Sequence, residues 1–320
     1  MGERSNRANW AVALSTAAIL GVAGCAADPS QAAEPIHPIA TSFPSAAVAT
    51  TSAAPRHATP STSPASSKYQ VSGKVEAQWQ LGGGEDVLGE PTADQSRVTI
   101  EGVTAYGQRF AKGFVFWSPL GTEAFTYEEG PTLTGVDNAR DALAGEGLEG
   151  GLLFRSARQM DASLKDQLLL ALLLQGGRVI DLRSTPEVEE YPDATLPGVE
   201  HLDVPIANTT NTKRFVEDAD IRSAFGQTLE DLASDSGPAV VHCTLGRDRT
   251  GWLVAMLMYA VGATDEEVRT EYLRTPTAKA SKLETGLETI GEEYGSVSDY
   301  LTDGLGLSAD DLAALKARFG

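Results

Sequence analysis

The chain has 320 residues, 44 acidic against 25 basic side chains and a net charge of −19. With no basic stripe, that balance excludes nucleic-acid binding. Two cysteines and four scattered histidines argue against a disulfide framework and against metal-ligand spacing, so no metal or other cofactor is expected.

The first elements in chain order read as an export signal. Arg4 and Arg7 precede an apolar run from Trp10 to Ala23, which is too short to be a lasting membrane span. The run closes on Gly21-Val22-Ala23-Gly24-Cys25. This resembles a bacterial lipobox, which implies a signal peptide over 1–24 and diacylglyceryl attachment at Cys25. Lipidation there would hold the mature protein on the outer face of the cytoplasmic membrane. Cys243 would then be the single thiol of the mature chain, unable to form an internal disulfide.

Residues 25–67 are rich in Ala, Ser, Thr and Pro, with few charges and few large apolar side chains. Such a segment buries too little surface to offset its ordering entropy and is read as a disordered tether. Residues 68–128 alternate apolar and aromatic positions between glycines, which suggests a small β-rich module. Leu88-Gly89-Glu90-Pro91 and the stretch from Gly113 to Trp117-Ser118-Pro119 resemble an LGFP repeat, a cell-wall-associated module. The third motif position is Glu90 rather than Phe, and only one repeat is evident. Cell-envelope binding is what this resemblance implies.

From 133 onward, apolar runs and amphipathic stretches alternate. Strands are predicted over 151–154, 178–182, 199–204 and 239–242. Helices are predicted over 163–175, 221–233, 250–261, 265–272, 281–294 and 309–318. Thr264 with Glu267, Ser296 with Asp299 and Ser308 with Asp311 have capping-box spacing. Strands separated by helices favour an α/β fold with a largely parallel central sheet flanked by helices. The apolar run from Leu168 to Leu174 is expected to cover that sheet.

The chemistry concentrates in His242-Cys243-Thr244-Leu245-Gly246-Arg247-Asp248-Arg249-Thr250-Gly251. An apolar strand leads into this loop and an apolar helix leaves it. Backbone N–H groups would therefore converge at a helix N-terminus and favour an anion. Arg249 can add a bidentate fork to phosphate oxygens, and Cys243 in that field suits a thiolate nucleophile. Thr244, Leu245, Gly246, Arg247, Thr250 and Gly251 complete the expected phosphate-binding set. The Thr250 hydroxyl is expected beside the sulfur, and His242 is expected to set the cysteine's geometry by hydrogen bonding.

This loop resembles the His-Cys-x-x-Gly-Lys/Arg-Asp-Arg-x-Gly signature of the bacterial protein tyrosine/serine phosphatases related to the secreted mycobacterial enzyme PtpB. Asn138-Ala139-Arg140-Asp141, Leu153-Phe154-Arg155-Ser156-Ala157, and Val179 to Ser184 followed by Glu187 resemble further family segments in the same order. The resemblance covers about 133–320. It implies a cysteine-phosphatase-like fold and hydrolysis of phosphotyrosine, and of phosphoserine or phosphothreonine, through a phosphocysteine, with Asp248 as general acid. Asp203 and Asp181 are reserves for that role, because Asn208 stands where many such enzymes carry the acid. Arg183 with Glu187 is expected to be a structural ion pair, and Arg155 to be structural too. Two other readings remain: a phosphoinositide or other lipid phosphatase, and a non-catalytic envelope protein that binds phosphate.

Overall fold

The computed structural model describes residues 68–145 and 148–320. The expected signal peptide, Cys25 and the whole of the tether lie outside the described residues.

The N-terminal described part differs from a purely β-rich module. It opens with two helices, α1 (Gly73–Leu81) and α2 (Gly84–Leu88). Val75 and Trp79 stand four apart, so a helix places them on one face. There Val75 joins a small core with Leu88, Phe110 and Val115, against which Trp79 packs. The glycines read as strand punctuation are instead the joint between the two helices. An antiparallel sheet follows in the order β1 (Ser96–Ile100), β2 (Val103–Arg109), β3 (Gly113–Ser118), β4 (Gly121–Thr126).

A second, five-stranded sheet carries the site. It comprises β5 (Arg140–Asp141), β6 (Leu153–Ser156), β7 (Arg178–Asp181), β8 (Glu200–Asp203) and β9 (Ala239–His242), in the order β5-β6-β9-β7-β8. All pairings are parallel except β5 with β6. This is the α/β class expected, with a central sheet flanked by helices. β9 lies between β6 and β7. Its four residues are all buried, as the apolar run requires of a strand covered on both faces.

Strand alternation divides the core. Ile180, Ala239 and Val241 join the side formed with α6 (Ala219–Ser234), α7 (Arg249–Val261), α9 (Ala280–Glu293) and α11 (Ala309–Phe319). Val179 and Val240 join the opposite side, with α3 (Leu164–Leu173). Helix α3 is covered by both sheets: Phe114, Phe116 and Phe125 of the N-terminal sheet share its core. That double burial explains why Leu168 through Leu174 are apolar without interruption. Among the described residues no helix is long and apolar enough to cross a membrane.

Capping sets several helix starts. Ser163 with Asp166, Thr264 with Glu267 and Ser308 with Asp311 form capping boxes for α3, α8 (Asp265–Leu273) and α11. Ser184 with Glu187 does the same for α4 (Thr185–Glu190), a helix absent from the sequence expectation. Helix α5 (Thr212–Glu217) was likewise not predicted; it starts on the Asn211 side chain. Between α9 and α11, one turn, α10 (Val297–Asp299), runs into a π-helical segment, Tyr300–Gly304. Tyr300 there packs on the fully buried Trp252 of α7.

Candidate active site

β9 ends at His242, and α7 begins at Arg249, so residues 243–248 cross the C-terminal edge of the sheet as a loop. Gly246 makes that crossing possible. Its φ is +61°, and a Cβ there would lie 2.1 Å from Ser156 O, so only glycine fits. Gly246→Ala is expected to cost about 2 kcal/mol or more from the left-handed backbone and the clash. Thermal melting together with phosphate-ester turnover will measure that loss.

The loop's carbonyls from Thr244 to Asp248 each accept a hydrogen bond. Gly246 O accepts from Arg155 Nη2 (2.6 Å) and from Asn138 Nδ2 (2.8 Å), and Leu245 O also accepts from Asn138 Nδ2 (3.3 Å). Thr244 O accepts from Arg158 N (3.4 Å), while Arg247 O and Asp248 O accept the first helical bonds of α7. The N–H groups are left over. Among the described residues, those of 244–250 donate to no protein acceptor. Free N–H groups at the N-terminal end of a helix suit an anion. Gly251 is not part of this cradle, because its N–H donates to Arg247 O (3.1 Å).

Arg155 does more than brace the loop locally. Its other nitrogen, Nη1, donates to Glu271 Oε1 on α8 (2.9 Å), which also receives Arg140 Nη2 (2.9 Å). Arg155 and Glu271 are essentially sealed from solvent. The expected structural role of Arg155 is thus specific: it fixes the turn of the loop to α8.

Arg249 lines a pocket together with Glu187, Asn208, Thr209, Thr210, Cys243, Thr244, Leu245, Arg247 and Asp248. Its Nη1 and Nη2 donate to the two Glu187 oxygens at 2.8 and 2.9 Å, a bidentate pair. Further bonds go to Leu182 O and Ile206 O, both at 3.2 Å, and to Thr244 Oγ1. Thr244 Oγ1 in turn donates to Glu187 Oε1. Arg183 does not pair with Glu187, contrary to expectation. It donates to Asp181 (2.6 Å) and Asp193 (2.7 Å) instead, which leaves Glu187 free to orient Arg249.

Burial alone would push the Glu187 carboxyl up. The Arg249, Thr244 and Ser184 contacts outweigh it and hold the group at about 2. Its ion pair with Arg249 is therefore fully formed above the ordinary carboxylate range and is lost as pH falls from about 4.5 through about 2. Glu187→Gln is expected to remove the share of the acid-induced stability loss that this ion pair contributes. Acid unfolding of both proteins, followed by circular dichroism, will measure it.

One other expectation fails on geometry. His242 is wholly buried, but its ring faces Asp193 (3.2 Å) and Asp181 (3.8 Å). Among the described residues no hydrogen bond joins it to Cys243. The Thr250 hydroxyl is buried without a hydrogen-bond partner, the sulfur included. Asp181, Asp193 and His242 do lie close enough to offer ligand atoms to a metal ion, a cluster the linear spacing concealed. Arg183 already occupies both carboxylates, so the residues form an ion-pair network rather than an open cation site.

Asp248 lies at the pocket wall with its carboxyl 8% exposed. Oδ2 accepts from Arg247 Nε (2.9 Å) and Oδ1 from Lys282 Nζ (2.8 Å). Neither Asp203 nor Asp181 lines this pocket, whereas Asn208 does. Cys243 is free and 3% exposed, and Leu245 projects at the mouth.

The profile of the tyrosine phosphatase family matches residues 131–283 and 276–320, more than half of the chain. The chain belongs to this family. A protein of Cupriavidus necator named as a tyrosine-protein phosphatase is 26% identical over 240 residues, covering 58% of this chain and 86% of its own length. Among solved structures, the catalytic domain of the PP-IP phosphatase SIW14 of S. cerevisiae is 17% identical, at a TM-score of 0.35. It covers 55% of this chain and 98% of that one. P. aeruginosa TpbA in complex with phosphotyrosine is 18% identical, at a TM-score of 0.33, covering 53% and 96%. Overlaps of that size support no argument about chemistry. Family membership does: the chain is a phosphatase, with phosphorylated molecules as its substrate class.

Proposed function

We propose that this phosphatase hydrolyses phosphate monoesters, phosphotyrosine first, through a phosphocysteine on Cys243. One observation carries the reading. Cys243, Arg249 and loop residues whose N–H groups find no protein acceptor among the described residues line one pocket.

The Cys243 thiolate attacks phosphorus and the bond from phosphorus to the leaving oxygen breaks. Arg249 and the amides of 244–250 hold the equatorial oxygens where charge spreads in the transition state. Asp248 donates its proton to the leaving phenolate or alkoxide. Both of its oxygens accept in the resting structure, so one contact is given up as the proton is presented. Water then attacks phosphorus, Asp248 takes a proton back, and the phosphorus–sulfur bond breaks to release phosphate and thiolate.

The test is hydrolysis of phosphotyrosine, phosphoserine and phosphoinositide substrates by the full chain without added metal. Phosphotyrosine turnover is expected to dominate. Dominant inositol-lipid turnover would move the substrate to a lipid, and binding of phosphate without turnover would leave a binding protein.

The proposal extends to location: export, lipid anchoring at Cys25, and envelope contact through the segment 68–128. The motifs at Cys25 and at Leu88-Gly89-Glu90-Pro91 support it. Cys25→Ala is expected to release the protein from the membrane fraction of a bacterium that processes lipoproteins. Unchanged fractionation would argue against lipidation.

A further inference from the structure

Lys282 is out of place electrostatically. It sits in the first turn of α9, a helix whose first turn holds no acidic residue and whose N-cap makes no side-chain bond. A cation at that end meets the positive pole of the helix dipole. Its backbone is nonetheless pinned there, because Lys282 O accepts from the Thr212 hydroxyl of α5 (2.6 Å). Its ammonium reaches 2.8 Å from Asp248 Oδ1, with the lysine 28% and the carboxyl 8% exposed. The two residues are 34 positions apart, so the fold rather than local sequence brings them together.

We infer that Lys282 is a positioning residue for Asp248. It orients the carboxyl toward the leaving oxygen. The inference rests on the proposed role of Asp248 as general acid. The other charged or titratable groups around Asp248 are Arg247 in its own loop, Tyr272 of α8, and Cys243 with the Glu187–Arg249 pair across the pocket. Arg247 holds Oδ2 and Lys282 holds Oδ1, so each carboxylate oxygen has its own cation.

Lys282→Met is expected to lower kcat for phenyl phosphate several-fold as orientation is lost, with KM little changed. 4-Nitrophenyl phosphate, whose leaving group needs little protonation, should respond far less. Lys282→Arg should restore the wild-type ratio between the two substrates, and Lys282→Gln repeats the neutral substitution should Met disturb the fold.

A purely structural lysine would lower both substrates alike. Equal loss on both substrates in Lys282→Met, with Asp248→Asn losing phenyl phosphate selectively, overturns the inference and leaves the proposed function standing. Equal loss on both substrates in Asp248→Asn overturns the acid assignment, and the inference falls with it.

Discussion

Cys243→Ser is expected to abolish turnover, by about 10⁴-fold or more, as loss of a covalent nucleophile does in other hydrolases. The fold should be unaffected. Cys243 joins the central core at 3% exposure, and serine is close to it in volume. Phosphate and vanadate should therefore still bind, because Arg249 and the amides of 244–250 are untouched. Retained anion binding with lost turnover separates nucleophile from cradle, and calorimetric titration beside a turnover assay reads both.

The second large effect concerns Arg249. Arg249→Lys keeps the charge but loses the planar fork that spans both Glu187 oxygens. A lysine cannot also reach Leu182 O, Ile206 O and Thr244 Oγ1. Turnover is expected to fall by about 10³-fold, the scale on which a guanidinium stabilises a phosphoryl-transfer transition state. Stability is expected to fall by about 3 kcal/mol, because the largely buried Glu187 loses its matched partner. Glu187→Gln should share that stability loss while costing less in rate, since the guanidinium itself remains. Kinetics and chemical denaturation of the two variants, measured side by side, will test the division.

The parts of the fold visible in the sequence were those written in neighbouring residues. β9 is bounded by Gly237-Pro238 and by the loop, and it spans 239–242 as expected. α7 starts one residue before its predicted beginning. The capping residues of α8 and α11 stand where the spacing put them. Gly246 was legible because a tight loop needs a positive φ.

What failed to show depends on partners distant in the chain. Glu187 binds Arg249 across 62 positions, Asn138 binds Gly246 across 108, and Arg155 meets Glu271 across 116. Charge pairing alone suggested Arg183 for Glu187, and the fold chose otherwise. One signal did exist. Ser184-Thr185-Pro186-Glu187 has the spacing of a capping box with Pro in the first turn, enough to place α4 and turn Glu187 toward the site. The helices of the N-terminal part were hidden by glycines. Gly83 adopts φ +94° as the joint between α1 and α2, a role glycine plays between helices as readily as between strands.

The central claim is that phosphate passes through Cys243. The most direct measurement is rapid acid quenching of the full chain during turnover of a phosphotyrosine substrate, with mass analysis of the Cys243 peptide. The account predicts phosphate on that cysteine, which disappears once substrate is exhausted and is absent from Cys243→Ser. Steady turnover with the peptide never phosphorylated, or with phosphate on another residue, would contradict it.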